Sequence, residues 1–185
     1  VKLSEIKASA TRRSLKKNVE VEKINGMKNR PSWHDYFLGL AYYASTRSSD
    51  SQTQVGCVIT GEDNRIISIG YNGFCSDVET SNLPTVRPMK SPFIVHAEEN
   101  AICNMIIKPS FKKVAYITHV PCHRCAKLMW QNEVREWFLP ANKKAHSYSE
   151  EDQIVYNHLK ENGLIINYIS PDLSHLEKAY KHVEQ

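Results

Sequence analysis

Two short segments carry side chains that could bind a metal ion and move a proton. The first, IVHAEENAI, places His96 and Glu98 two positions apart at the predicted start of a helix. The second, PCHRC, places Cys122 and Cys125 three positions apart at the start of another predicted helix. The helix dipole and the unpaired backbone N–H groups of a helix N-terminus favour thiolates, so both sulfurs can turn toward one point. The spacing therefore predicts a metal-binding clamp.

One imidazole and two thiolates suit Zn²⁺, and three protein ligands leave the fourth tetrahedral position open for water. Zinc bound in this way lowers the pKa of its water to about 7. A carboxylate placed like Glu98, beside the metal without binding it, can take the proton of the water, deliver it to a ring nitrogen and then protonate leaving ammonia. The joint pattern H-x-E and P-C-x-x-C resembles the signature of zinc deaminases. The residues thus predict catalysis at a zinc site.

Each motif alone supports a different interpretation. A lone C-x-x-C is most often half of a structural zinc site or a redox pair, and a lone HAE usually has no function. A structural zinc would need a fourth ligand, for which Cys103, His119 and His123 are the candidates. We interpret Cys57 and Cys75 as buried apolar residues or exposed thiols, and we predict no second metal site.

Composition and charge restrict the functional class. A chain of 185 residues with 41% hydrophobic and 24% charged residues fits one globular domain, predicted over 32–185, preceded by a basic flexible tail over 1–31. Residues 1–30 contain nine Lys or Arg and three Glu, which leaves 15 basic and 17 acidic residues beyond them. The predicted domain is therefore close to neutral, and nucleic acid is an unfavoured partner.

The chain carries no sign of export or of membrane insertion. Its apolar runs are far shorter than the roughly 18 residues of a membrane helix, and its basic N-terminal region does not resemble a secretory signal. Five cysteines are an odd number, which argues against a disulfide framework. We expect a cytoplasmic protein without a membrane partner.

The order of predicted elements indicates an α/β fold. A helix from Ser32 is expected to place Trp33, Phe37, Leu40 and Ala44 on one face, with Trp33 in the core or a subunit interface. It is followed by a hairpin of TQVGCVIT and RIISIGYNG. A long irregular loop over 74–92 contains three prolines. Beyond it, helices and strands alternate. The helices are predicted from about 96 to 107, over CAKLMWQN, over 150–161 and from Pro171, and the strands over VAYITH, EVREWFLP and LIINYI. Five strands with helices on both faces predict a three-layer α/β/α sandwich with a mixed sheet.

Four segments together resemble the deoxycytidylate deaminase family. They are WHDYFLGLAYYASTRSSDSQTQVGCVIT, IGYNG, PFIVHAEENAI and VPCHRCAKLMWQ, and the resemblance covers about residues 32–140. It implies a cytidine deaminase-like fold and the conversion of dCMP to dUMP. It also implies a homo-oligomer, a hexamer in many members, with dCTP as activator, dTTP as inhibitor and Mg²⁺ accompanying the triphosphate.

The resemblance also implies roles for individual residues. His96, Cys122 and Cys125 would bind zinc, Glu98 would transfer protons, and Asn72 would contact the substrate sugar. A tyrosine that packs near the base in relatives is placed here, after an apparent short insertion, at Tyr148. The regulatory triphosphate is expected to lie against Tyr71, Gly73, Phe74, Lys90 and Phe93.

Two other functions are compatible with the same motifs. A deaminase acting on nucleic acid, such as a tRNA adenosine deaminase, shares HAE and PCxxC, but the near-neutral domain disfavours it. A nucleotide sensor without chemistry would keep the fold and the zinc, but the intact Glu98 disfavours that interpretation.

Overall fold

The computed structural model describes residues 30–106, 111–142 and 149–181. The helices are α1 (Trp33–Ser45), α2 (Ala97–Cys103), α3 (His123–Gln131), α4 (Glu150–Glu161) and α5 (Ser174–Lys181). The strands are β1 (Gly56–Gly61), β2 (Ile66–Tyr71), β3 (Gly73–Phe74), β4 (Ile94–Val95), β5 (Lys113–Ile117), β6 (Val134–Pro140) and β7 (Ile165–Ile169). A 3₁₀ turn, Ser91–Phe93, precedes β4. The tail predicted over 1–31 falls almost entirely outside the described residues and stays a prediction.

Five strands form one mixed sheet in the order β2-β1-β5-β6-β7. Strand β1 is antiparallel to both β2 and β5, whereas β5, β6 and β7 run parallel. The hairpin predicted from the first two strands supplies the antiparallel part, and the alternating helices and strands supply the parallel part. The predicted three-layer sandwich with a five-stranded mixed sheet is confirmed.

The two faces of the sheet bury different side chains because neighbouring strand residues point in opposite directions. Cys57, Ile59, Ala115 and Ile117 belong to the larger core, which also contains buried residues of α2, α3 and α4. On the other face, residues of α1 pack against alternate residues of the same strands. This smaller core consists of Phe37, Leu38, Ala41, Val58, Val114, Tyr116 and Phe138.

Helix α1 confirms the first predicted helix, but its buried face differs from the prediction. Phe37 and Ala44 are buried as expected, yet Trp33 is 47% exposed and Ala41 is completely buried. The reason is a close approach to β1, where a Cβ on Gly56 would lie only 1.8 Å from the carbonyl oxygen of Ala41. This contact requires a small residue, so the side of the helix that carries Ala41 faces the sheet. Hydrophobic periodicity alone does not show that a small residue is needed at that position.

Two further details differ from the sequence-based expectation. Helix α2 ends at Cys103, four residues before the predicted end. A separate two-stranded sheet, Gly73↔Val95 and Phe74↔Ile94, was not predicted, because two-residue strands carry no periodicity. The long loop between these strands has no regular helix or strand until the 3₁₀ turn, as predicted. In the described parts of the chain, no helix combines the length and the apolar content that crossing a membrane requires.

Close packing of α2 against β2 leads to a test of the fold. A Cβ on Gly70 would lie 2.3 Å from both the Ala97 carbonyl oxygen and the Ala101 amide nitrogen. We predict that Gly70→Ala lowers the free energy of unfolding by about 1–3 kcal/mol or more, because the clash is with backbone that cannot rotate away. Urea unfolding measures the change. Ile69→Ala, on the exposed side of the same strand, is the control and should cost less; equal stability of Gly70→Ala and wild type would contradict the packing.

Candidate metal centre and active site

The candidate site forms where the N-termini of α2 and α3 meet. His96 and Cys122 are the residues immediately before the two helices, and both have the extended backbone usual for that position. The backbone N–H of His96 donates to the Glu99 carboxylate over 2.8 Å, which fixes the start of α2. Cys125 lies one turn into α3 and is completely buried. The first turns of two helices and the residues just before them therefore carry all three donor side chains.

The three donor atoms have the spacing of a tetrahedral zinc site. His96 Nδ1 lies 3.6 Å from Cys122 Sγ and 3.4 Å from Cys125 Sγ, and all three atoms lie within 4.8 Å of one another. Zinc–nitrogen and zinc–sulfur bonds of about 2.0 and 2.3 Å at tetrahedral angles place N and S about 3.6 Å apart. One imidazole and two sulfurs are also donors that zinc prefers. The residues fit the metal that the sequence predicted.

None of the candidate fourth ligands joins this group. Among the described residues, the cluster contains no other His, Cys, Asp or Glu. Cys103 is exposed at the end of α2, and His119 Nδ1 lies 3.1 Å from the Val120 carbonyl oxygen. His123 instead contacts Asp152. Three protein ligands with a remaining coordination position favour a catalytic arrangement over a closed structural one.

The cluster favours a thiolate even before a metal is considered. Hydrogen bonds from the Cys125 thiol and from His96 lower the pKa of Cys122 to about 3, despite its partial burial. The pKa of Cys125 is raised, because its thiol donates to Cys122 and because it is buried. The hydrogen bond to Cys122 also raises the pKa of His96 to about 9. Metal binding must therefore displace protons from both the sulfurs and the imidazole.

Glu98 lies beside the cluster without belonging to it. It is 4% exposed, and burial raises the pKa of its carboxyl to about 7. The buried Cys57 thiol is close enough for the Glu98 charge to contribute to raising its pKa, after burial itself. A carboxyl group that gains and loses a proton near neutral pH suits an acid–base role.

A pocket of about 230 Å³ opens over these groups. His96, Glu98 and Cys122 line it together with apolar residues such as Ile94 and Val120. The polar residues that complete its wall are Asp50, Thr53, Asn72, Arg87, Lys90, Ser91, His119 and Asp152. A pocket that combines apolar and polar side chains with a perturbed carboxyl is typical of a small-molecule site.

Asn72 lines this pocket and is 5% exposed. Its Oδ1 accepts from the Val55 amide and its Nδ2 donates to the Thr53 carbonyl oxygen, both over 2.8 Å. These bonds fix the amide against the loop that leads into β1. One Nδ2 hydrogen and one Oδ1 lone pair remain, which is the capacity that a sugar contact would use.

The residues expected to contact a regulatory nucleotide are brought near one another by the β3–β4 pair. Gly73 and Phe74 form β3, Tyr71 ends β2, and Phe93, 43% exposed, precedes β4. Lys90 differs from the others, because it is 2% exposed and forms an ion pair with Asp50 inside the pocket wall. Tyr148 lies outside the described residues.

One residue of the wall that sequence reasoning missed is Asp152. Its Oδ1 accepts from the backbone N–H of His123 over 2.6 Å, and its Oδ2 accepts from the Ser149 N–H over 3.1 Å. Tyr156, one turn further along α4, donates its hydroxyl hydrogen to the Pro121 carbonyl oxygen. Helix α4 is thus attached to the turn that carries Cys122. The S-x-x-D capping box was visible in the sequence, but its second contact to α3 was not.

Comparison with known proteins agrees with this geometry. Residues 31–140 match the family described as the cytidine and deoxycytidylate deaminase zinc-binding region. A probable deoxycytidylate deaminase of Caenorhabditis elegans is 35% identical over 130 residues, which are 68% of this chain and 66% of the relative. The deoxycytidylate deaminase of Mus musculus is 32% identical over 148 residues, which are 77% of this chain and 82% of that protein.

The fold has a counterpart among solved structures. The apo dCMP deaminase of the cyanophage S-TIM5 superposes with a TM-score of 0.58 at 24% identity, covering 76% of this chain and 99% of the other. That likeness concerns the fold, whereas the match over 31–140 includes both His96 and the two cysteines of the cluster. The chain spans about two thirds of the length of the nematode relative. On this evidence the chain belongs to the cytidine and deoxycytidylate deaminase family.

Proposed function

We propose that this chain is a zinc-dependent enzyme that deaminates dCMP to dUMP with release of ammonia. The observation that carries the proposal is the convergence of His96, Cys122 and Cys125 at a pocket that His96, Cys122 and the buried carboxyl of Glu98 line. The named relatives at 32–35% identity support the choice of a deoxycytidylate over another cytosine compound.

The three donors would hold the zinc, and a zinc ion there would supply the Lewis acid that makes water nucleophilic at neutral pH. Glu98 moves the protons. Its carboxylate takes one proton from the water and delivers it to N3 of the cytosine ring as the C4–O bond forms. It then takes the remaining proton of the new C4 hydroxyl group and passes it to the amino group, so that the C4–N bond breaks, ammonia leaves and the C4=O bond of dUMP forms. A pKa near 7 allows the same carboxyl group to accept and donate protons in one cycle.

The pocket wall would hold the remainder of the nucleotide. Asn72, fixed by its two backbone contacts, would use its remaining hydrogen-bonding capacity on the deoxyribose. Apolar residues around the ring, including Ile94 and Val120, would keep bulk water away from the reacting carbon. Tyr148 stays a predicted contact to the base.

Regulation and assembly belong to the same proposal. Activation by dCTP, inhibition by dTTP and a homo-oligomer, a hexamer in many relatives, follow from the sequence resemblance, as does Mg²⁺ with the triphosphate. The exposed Phe93 and the neighbouring β3–β4 pair support a surface next to the pocket for such an effector. Lys90 would reach an effector only by leaving Asp50, so its contribution there would require a rearrangement of the pocket wall.

Removal of one sulfur should remove the metal. We predict that Cys125→Ser binds zinc at least about 100-fold more weakly than wild type, because a buried thiolate ligand is lost. Zinc content after dialysis against a chelator, measured by atomic emission, tests this. Cys103→Ser is the matched control, since Cys103 is exposed and outside the donor group. Full zinc retention in Cys125→Ser would contradict the assignment.

Loss of Glu98 should separate chemistry from metal binding. We predict that Glu98→Ala keeps its zinc and its unfolding midpoint, while kcat for dCMP falls about 10²- to 10⁴-fold because proton transfer is lost. Ammonia release is followed with dCMP, CMP, deoxycytidine and dAMP, each with and without dCTP or dTTP. Glu62→Ala, in the exposed turn between β1 and β2, is the control. If zinc-loaded wild type leaves dCMP unconverted under all these conditions, the proposed function is wrong.

A further inference from the structure

The cations of the pocket wall differ in their availability to a ligand. Apart from the proposed zinc ligand His96, three basic residues of the described chain line the pocket: Arg87, Lys90 and His119. A nucleotide monophosphate brings a group with nearly two negative charges, which needs a cationic partner. Which of the three can serve is decided by their other contacts.

Lys90 is already neutralised. Its Nζ pairs with Asp50 Oδ1, and the two side chains are 2% and 1% exposed. Asp50 also accepts from the backbone N–H groups of Gln52, over 2.8 Å, and Thr53, over 3.0 Å. Although burial opposes it, these hydrogen bonds and the Lys90 charge keep the pKa of Asp50 below its usual value. Breaking such a buried pair to bind a ligand would leave a buried carboxylate without its cation.

Arg87 differs from Lys90 in both its exposure and its ion pairing. Its side chain is exposed at the pocket, and in the ranges 30–106, 111–142 and 149–181 its guanidinium group has no carboxylate partner. A guanidinium group stays charged at any physiological pH and can bind a phosphate through two parallel N–H···O bonds. His119 has its Nδ1 3.1 Å from the Val120 carbonyl oxygen, and an imidazole cannot form two parallel N–H···O bonds to one phosphate.

The backbone places Arg87 on the sugar side of the pocket. Its N–H donates to Gln52 Oε1 over 3.1 Å, and the next residue of that loop, Thr53, accepts from the Asn72 amide. Arg87 and Asn72 are therefore attached to the same loop, and Lys90 attaches to it through Asp50. A 5′-phosphate is bonded to the sugar, so a ligand with its sugar at Asn72 carries its phosphate toward this wall.

We propose that Arg87 is the residue that selects a nucleoside 5′-monophosphate over the nucleoside, with the Lys90–Asp50 pair as the fixed support that positions it. The inference rests on the proposed function for the orientation of the nucleotide. It assigns to Arg87 a direct contact to the phosphate and to Lys90 a positioning role.

The test compares the binding of a nucleotide and its nucleoside. Dissociation constants of dUMP and deoxyuridine are measured by calorimetry on the zinc-loaded full chain and on Arg87→Gln, Arg87→Lys and Arg65→Gln. Arg65 is the matched control, an exposed arginine paired with Asp63 and absent from the pocket wall. Zinc content and unfolding midpoint are recorded for each variant, so that a folding defect is recognised.

We expect Arg87→Gln to weaken dUMP binding about 10- to 100-fold, because charge-assisted hydrogen bonds to the phosphate are lost. Deoxyuridine has no phosphate, so its binding should change less than about 2-fold. Arg87→Lys should lie between wild type and Arg87→Gln, and Arg65→Gln should match wild type. An unchanged preference for dUMP in Arg87→Gln, or an equal loss for both ligands, would overturn the inference. If wild type prefers dUMP through Arg87 but never converts dCMP, the inference stands and the proposed reaction falls.

Discussion

The site depends on two helix N-termini that meet on one face of the sheet. Each contributes the residue just before its first turn, His96 for α2 and Cys122 for α3, and α3 adds Cys125 from within that turn. The position of each donor at the start of its helix is local, since it follows from the sequence spacing within each motif. The convergence of the two ends is not local, since it needs α2 to pack on β2 at Gly70 and α3 to pack on the parallel strands. A shift of either helix by one residue would separate the donors.

Two polar anchors keep the pocket around this point in shape. On one side the Lys90–Asp50 pair attaches the segment before His96 to the loop that holds Asn72. On the other side Asp152 and Tyr156 attach α4 to the turn that holds Cys122. Both anchors lie either in irregular segments or at helix ends. In these places some backbone N–H and C=O groups have no partner within a helix or sheet and need one from a side chain. Polar contacts thus hold the pocket wall in place, while apolar residues such as Ile94 and Val120 form part of its lining.

Local chemistry made most of the elements predictable. The hairpin of β1 and β2, the parallel strands and helix α4 were predicted with small errors, because alternation, capping and turn residues act over a few neighbours. The buried face of α1 was predicted only in part, since the contact between Gly56 and Ala41 turns Ala41 toward the sheet as well. The β3–β4 pair was missed because strands of two residues form only when tertiary structure brings them together.

By itself, the sequence determined the candidate metal donors and the carboxyl group proposed to transfer protons, since H-x-E and P-C-x-x-C place those side chains at helix starts by short-range geometry. It also determined the α/β class through the alternation of its elements. Only the tertiary structure decided which pocket cation is free. Lys90 reaches Asp50 across 40 positions, and Asp152 reaches His123 across 29. Such pairings between distant residues fix the charge of a pocket, because a buried ion is neutralised by whatever partner the fold brings to it.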